Sequence, residues 1–172
     1  MPNNNQQKAI DFYLAREAKK GRVIDPDKDE NVRVMRCCDD WELDQTLTTD
    51  ETERLVTVIC KESNGLIKNG RRLLKDIAGE ADRQLKTKWE NGRNKEFIEK
   101  LLADLEKDEA AFAKDPIILR AKVNGEPAEG SYYVQDGNHR IIAAGIFFIR
   151  KGRLPKLAFH IGRTIDQKRF RP

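Results

Sequence analysis

Cysteine is scarce in this chain and arranged badly for a scaffold. Three occur, Cys37, Cys38 and Cys60, an odd number with one adjacent pair. That rules out a disulfide framework. Adjacent thiols with only two histidines in the chain also lack the spacing of a zinc site, so reduced, partly buried thiols are expected. Long apolar runs are missing too. The longest, Ile141 to Ile149, falls far short of the roughly 20 residues that span a bilayer. The start, Met1-Pro2-Asn3-Asn4-Asn5, has no apolar segment of the kind a secretory signal needs. No internal repeat or low-complexity stretch is visible. These absences predict a soluble, cytoplasmic protein with no membrane insertion.

Charge is abundant. Of 172 residues 36% are charged, with a formal net charge of +4. Its distribution is uneven: residues 150–172 carry a net +7, which leaves −3 for residues 1–149. A basic segment of this kind attracts polyanions, nucleic acid first among them. Lys151, Arg153, Lys168, Arg169 and Arg171 are the candidates for contacts to a DNA backbone. The competing reading is a solvated basic tail.

The pattern divides near Gly92. Residues 1–92 read as a mainly helical part packed on the core, and residues 93–172 as the core with a basic C-terminal tail, together one compact domain. Ile10, Tyr13, Leu14 and Ala18 share one face of a helix over 6–20 that stops at Gly21. Val32 and Val34 alternate with Arg33 and suggest a short strand. Thr48 and Glu51 have capping-box spacing and open a helix expected to carry Leu55, Val58 and Ile59 inward as far as Asn64-Gly65. An apolar stripe follows at Leu66, Leu73, Ile77, Ala81 and Leu85, closed by Trp89. A helix over 94–113 buries Ile98, Leu101, Leu102, Leu105 and Phe112, and stops before Pro116. Next come an apolar strand from Ile117, a turn at Asn124-Gly125-Glu126-Pro127, and the second strand of a hairpin at Ser131–Gln135. A helix from Asn138 to Lys151, apolar almost all round, is capped by Gly152. Leu154 to Ile161 then reads as a half-buried strand, with Leu157, Phe159 and Ile161 inward and His160 on the other face.

Asp136-Gly137-Asn138-His139-Arg140 stands out at the junction between the hairpin and that buried helix. Gly137 permits a positive φ and close approach of the backbone to a ligand. Asn138, His139 and Arg140 fall in the first helical turn, where amides face out of the helix and the dipole favours an anion. Arg140 can grip two phosphate oxygens with its planar fork. His139 can donate a hydrogen bond or move a proton near neutral pH. Asp136 has three readings: it holds Mg²⁺, orients His139, or caps the helix. Taken singly, each residue also has a structural reading, Arg140 as the ion-pair partner of Glu96 or Glu99 for instance. Five polar or glycine residues in a row between two apolar elements favour a phosphate site.

This arrangement resembles the signature of the ParB/sulfiredoxin fold, in which a strand and a short turn ending in arginine feed an Ala-containing helix. The likeness runs from about Glu96 to Gly162, and Ala143 and Ala144 lie in the helix. It implies an α+β fold: a mixed sheet with packed helices and a helical N-terminal extension. It also implies that ATP, or CTP, binds at Gly137, Asn138, His139 and Arg140. Asn138 stands where sulfiredoxins have their cysteine, so reduction of a sulfinic acid is not expected. Without a visible helix-turn-helix, a role in partitioning is not expected either. Within the superfamily the chain looks like the Osa-type fertility inhibition proteins of conjugative elements. Those are ATPases with DNase activity that block DNA transfer through a type IV secretion system. The resemblance implies catalytic roles for Asp136, His139 and Arg140, Mg²⁺ held through Asp136, and DNA and a type IV secretion component as partners. The alternatives are a non-catalytic, nucleotide-switched interaction protein and a small-molecule kinase on the same turn.

Overall fold

In a computed structural model, described over residues 4–57, 73–87 and 92–170, helices cover both faces of a four-stranded mixed sheet. In chain order the elements are α1 (Asn4–Lys19), α2 (Glu30–Arg36), β1 (Cys38–Gln45), α3 (Thr49–Glu53), α4 (Leu74–Lys86), α5 (Gly92–Lys107), α6 (Glu109–Ala113), β2 (Ile117–Arg120), β3 (Tyr133–Asp136), α7 (Asn138–Lys151) and β4 (Phe159–Ile165). The sheet order is β1-β4-β2-β3. β2 runs parallel to β4 and antiparallel to β3, and β1 is antiparallel to β4. Among the described residues, no helix is long and apolar enough to cross a membrane.

Alternation along the strands sends side chains to two separate cores. Ile117, Leu119, Val134, Phe159 and Ile161 face α4, α5 and α7. Ile118, Cys38 and Trp41 face α1 and α2, where Ala9, Ile10, Tyr13, Val32 and Met35 meet them. The centre of the sheet is therefore dry on both sides. All four residues of β2 are buried; Ile117, Ile118 and Leu119 therefore read as an apolar run rather than an alternating one, and Arg120 is buried as a charge paired with Glu126 at 2.6 Å.

The buried helix α7 matches its expected span, and Gly152 ends it at φ 70°. Gly145 lies where α7 crosses α4. A Cβ there would sit 2.7 Å from Ala78 Cβ and 3.2 Å from Leu74 Cδ1, so only glycine lets the two helices approach this closely. The hairpin of β2 and β3 also forms where expected, with Gly125 in the turn at φ 91°.

Four expectations need correction. Val32 and Val34 lie on helix α2, not a strand, because Asp29 caps the helix by accepting the Val32 N–H at 2.9 Å. The N-terminal part also supplies a strand, β1, whose two-residue alternation is broken by Asp40 (φ 50°) and Asp44 (φ 53°). The Thr48 capping box is present, but its helix ends at Glu53. Leu55 is buried just beyond it, and Val56 pairs with Tyr133 beside β3. The helix expected over 94–113 breaks at Asp108, which accepts the Ala111 N–H and starts α6. Finally, β4 begins at Phe159, and His160 is 5% exposed because α1 covers that face. Leu73, Ile77 and Ala81 of the apolar stripe belong to the core. Val58, Ile59, Cys60, Asn64-Gly65, Leu66 and Trp89 lie outside the described residues. Cys37 and Cys38 are buried free thiols, and burial pushes Cys38 up to about 12.

Two outcomes follow from this packing. Gly145→Ala is expected to lower Tm, because overpacking costs about 1–3 kcal/mol against a helix-propensity gain of about 1 kcal/mol. An unchanged or raised Tm would show that α4 and α7 yield at this point. The second outcome concerns pH. Burial holds His139 and His160 below the ordinary imidazole value of 6.5. The folded chain thus binds these protons less readily than the unfolded chain. Stability is complete above that value and is lost as pH falls below it toward the depressed values. Urea unfolding at about pH 7.5 and about pH 5.5 checks this, and His160→Gln should flatten the difference. An equal slope in wild type and variant would assign it to other groups.

Candidate functional site

β3 leads into α7 through Gly137, which sits at φ 95°, ψ 20° as the helix N-cap. A Cβ at this position would lie 3.3 Å from both Cγ atoms of Ile117. Left-handed geometry and the close contact together make any side chain here strained, so glycine is favoured. Gly137 has no side chain with which to cap, and Asp136 does not cap either. Its Oδ1 accepts the Gly137 N–H at 2.8 Å and its carboxylate pairs with Arg16. The capping reading of Asp136 is thereby corrected. The first-turn amides of Asn138, His139 and Arg140 lie at the positive end of a fourteen-residue helix. The Asn138 side chain donates to the Val134 carbonyl at 3.3 Å.

Arg140 is the most constrained side chain of the turn. Its guanidinium donates to the carbonyls of Phe112 and Asp115, lies 3.2 Å from the Asp115 carboxylate and stacks 4.5 Å from the Phe112 ring centroid. Phe112 belongs to the last turn of α6. Arg140 thus caps that helix at its negative end, and its acidic partner is Asp115, not Glu96 or Glu99. Burial, partly offset by Asp115, pushes it down to about 10, well clear of neutral pH. It remains charged, and its fork is committed to protein groups.

His139 meets Phe97 edge-to-face with ring centroids 5.2 Å apart. Burial, with Lys20 nearby, lowers its pKa, so the ring is neutral at pH 7 and can accept a proton. Phe97 is 47% exposed, which leaves an aromatic face beside the helix terminus.

Arg16 is the residue that motif reading missed. It reaches the turn from α1, pairing with Asp136 and with Asp115 (3.3 Å), and donates to the Pro116 carbonyl at 3.3 Å. A trace of it was present in the sequence. Ala9, Ile10, Tyr13, Arg16 and Glu17 form one helical stripe, and all five are buried, so periodicity alone places Arg16 on the inward face. Lys20, one turn on, pairs with Glu17 at 2.5 Å and carries its charge toward His139.

The magnesium expectation does not fit these residues. Asp115 and Asp136 are each engaged by arginine, and no cluster of three His, Cys, Asp or Glu side chains occurs among the described residues. A divalent ion here would face two guanidinium groups.

The predicted DNA contacts are dispersed. Lys151 pairs with Glu106 at 3.4 Å. Arg153 is bidentate to Glu109 at 2.5 and 3.0 Å. Arg169 bonds the Arg36 carbonyl and lies 3.4 Å from Asp166. Lys168 is exposed, and Arg171 lies outside the described residues. The excess charge of the last segment is therefore largely offset locally by acidic side chains. A separate cleft of about 230 Å³ opens between α4, α5 and α7, where Lys86, Glu99, Glu106 and Arg150 line it. It lies apart from the turn.

Arg140→Ala is expected to destabilise the fold by about 1–3 kcal/mol, the penalty for leaving buried acceptors without donors. Arg140→Lys should recover part of this loss. Denaturant midpoints check it, and an unchanged midpoint in Arg140→Ala would remove the capping role assigned here. Comparison of the chain with protein-family models, with curated proteins and with solved structures found no match.

Proposed function

We propose that this chain is a nucleotide-binding hydrolase of ParB/sulfiredoxin type. It seats the phosphates of ATP, or CTP, on the first turn of α7 and acts on DNA to inhibit conjugative transfer through a type IV secretion system. The observation that carries the reading is the left-handed Gly137. It turns β3 into α7 and sets the first-turn amides at the positive end of a fourteen-residue helix, an end suited to an anion. Supporting groups surround it: Arg16 and Lys20 from the end of α1, neutral His139, and the exposed face of Phe97.

In this reading the amides and the helix dipole bind the phosphates. His139, neutral at pH 7, takes the proton of the attacking water. Arg140 positions the turn through α6. Mg²⁺ would enter as the counter-ion of the nucleotide, since magnesium is held largely by substrate phosphates and water, and no step is assigned to it. DNA contact falls to Lys151, Arg153, Lys168, Arg169 and Arg171, whose exposed members can exchange acidic partners for phosphate.

A second reading has its own support. Both arginines at the turn are held by carboxylates, which suits a nucleotide that is bound but not turned over, acting as a switch for a protein partner. Purified protein decides between the two. With the hydrolase reading, ATP turnover and plasmid nicking are measurable, and His139→Asn lowers turnover by about a hundredfold or more with Tm little changed. Binding of ATP without turnover selects the switch. Absence of nucleotide binding contradicts both.

A further inference from the structure

Arg16 is a long way in sequence from the turn, yet it is the charged group most deeply placed against it. Its side chain is 9% exposed. One guanidinium nitrogen serves Asp115 and the Pro116 carbonyl, and the other meets Asp136. Its Nε, also buried, has no hydrogen-bond partner among the described residues. A buried donor left unused costs free energy, and here it stands beside a helix N-terminus that favours anions.

The surrounding charges form a closed set. Asp115 is shared between Arg16 and Arg140, and Asp136 pairs with Arg16. Two cations are balanced by two carboxylates. Asp136 also accepts the Gly137 N–H, so one carboxylate touches both the N-cap of α7 and the guanidinium delivered by α1. A phosphate on the first turn of α7 would compete with that carboxylate for the same guanidinium. Arg16 suits the exchange because a guanidinium binds carboxylate and phosphate with the same planar fork. Lys20, whose charge also reaches this point, is held by Glu17, and Arg140 is anchored to backbone carbonyls. Arg16 is the arginine whose main partner at the turn is a carboxylate side chain.

We infer that Arg16 is the phosphate-sensing residue of the site: a polyphosphate at the Gly137–Arg140 turn displaces the Asp136 carboxylate from Arg16, and α1 carries the occupied state to the opposite face of the sheet. This rests on the proposed phosphate site and adds to it a residue and a route. α1 packs on β1, its Asn5 and Gln6 side chains donating to the Trp41 and Cys38 carbonyls at 3.0 and 2.6 Å, and its Phe12 lies 5.1 Å from His160 of β4. Movement of Arg16 is thereby felt across the helical layer that covers that face.

The test uses the full chain, with tripolyphosphate and ATP as probes, and follows by NMR both the backbone amides of residues 138–141 and the Arg16 Nε–Hε resonance. Asp136→Asn keeps an oxygen for the Gly137 N–H while removing the competing charge. Affinity for tripolyphosphate is expected to rise about fivefold or more in Asp136→Asn, within the usual range of coupling between linked groups, and to fall in Arg16→Lys. In wild type the amides and the Arg16 Nε–Hε resonance should shift together at the same probe concentration. Amides that shift while Arg16 stays still, with Asp136→Asn binding no tighter, overturn the sensing role and leave the phosphate site standing. If neither the amides nor Arg16 responds, the phosphate site itself fails, and the sensing role with it. Should either variant fail to fold, the wild-type resonances alone decide.

Discussion

Four charges meeting at one corner of the sheet hold this architecture in register. Arg140 binds the last carbonyls of α6 and the Asp115 carboxylate, and Arg16 binds Asp115 and Asp136. Three separate pieces of chain are thereby fixed to one another: the end of α1, the junction of α6 with β2, and the turn from β3 into α7. Burying such groups is unfavourable unless each is paired and hydrogen-bonded. The positions of all three segments must therefore agree. The dry cores on the two faces of the sheet supply most of the cohesion, but they are tolerant of small slides. The charged corner is not.

The same corner explains why the candidate site is poised rather than open. A helix N-terminus attracts anions, and here the nearest anions are the protein's own. Asp136 lies at the turn, accepts the Gly137 N–H and pairs with Arg16. Any external ligand must be a better partner than a tethered carboxylate, which disfavours single weak anions and favours a polyphosphate that makes several contacts at once. Neutral His139 and the half-exposed Phe97 ring add chemistry and apolar surface beside that place without adding to the charge.

How much of this was legible in the residues depended on whether local and tertiary constraints agreed. α7, its glycine stop and the preceding hairpin were readable because turn chemistry, apolar periodicity and length all pointed the same way. β1 was not readable: its two left-handed aspartates disrupt the alternation on which strand recognition rests. α2 was misread because two valines spaced by one residue mimic a strand, while the deciding signal was Asp29 as a cap. His160 was assigned to an open face because nothing in β4 itself reveals that α1 lies over it. At the site, the turn was visible as a motif, but the partners of its arginine were not. Asp115 precedes a proline and read as a helix stop, and Arg16 sits about 120 residues upstream of the turn. Only the helical stripe that Arg16 shares with Ile10 and Tyr13 hinted that it was turned inward.

An anionic polyphosphate is expected to be received at the start of α7. A crystal structure of the chain with a non-hydrolysable ATP analogue tests it most directly. Phosphate oxygens are expected within hydrogen-bonding distance of the amides of Asn138, His139 and Arg140, at about 2.7–3.2 Å. An analogue seated elsewhere, for example in the cleft lined by Lys86 and Arg150, with the Gly137 turn untouched, would contradict it.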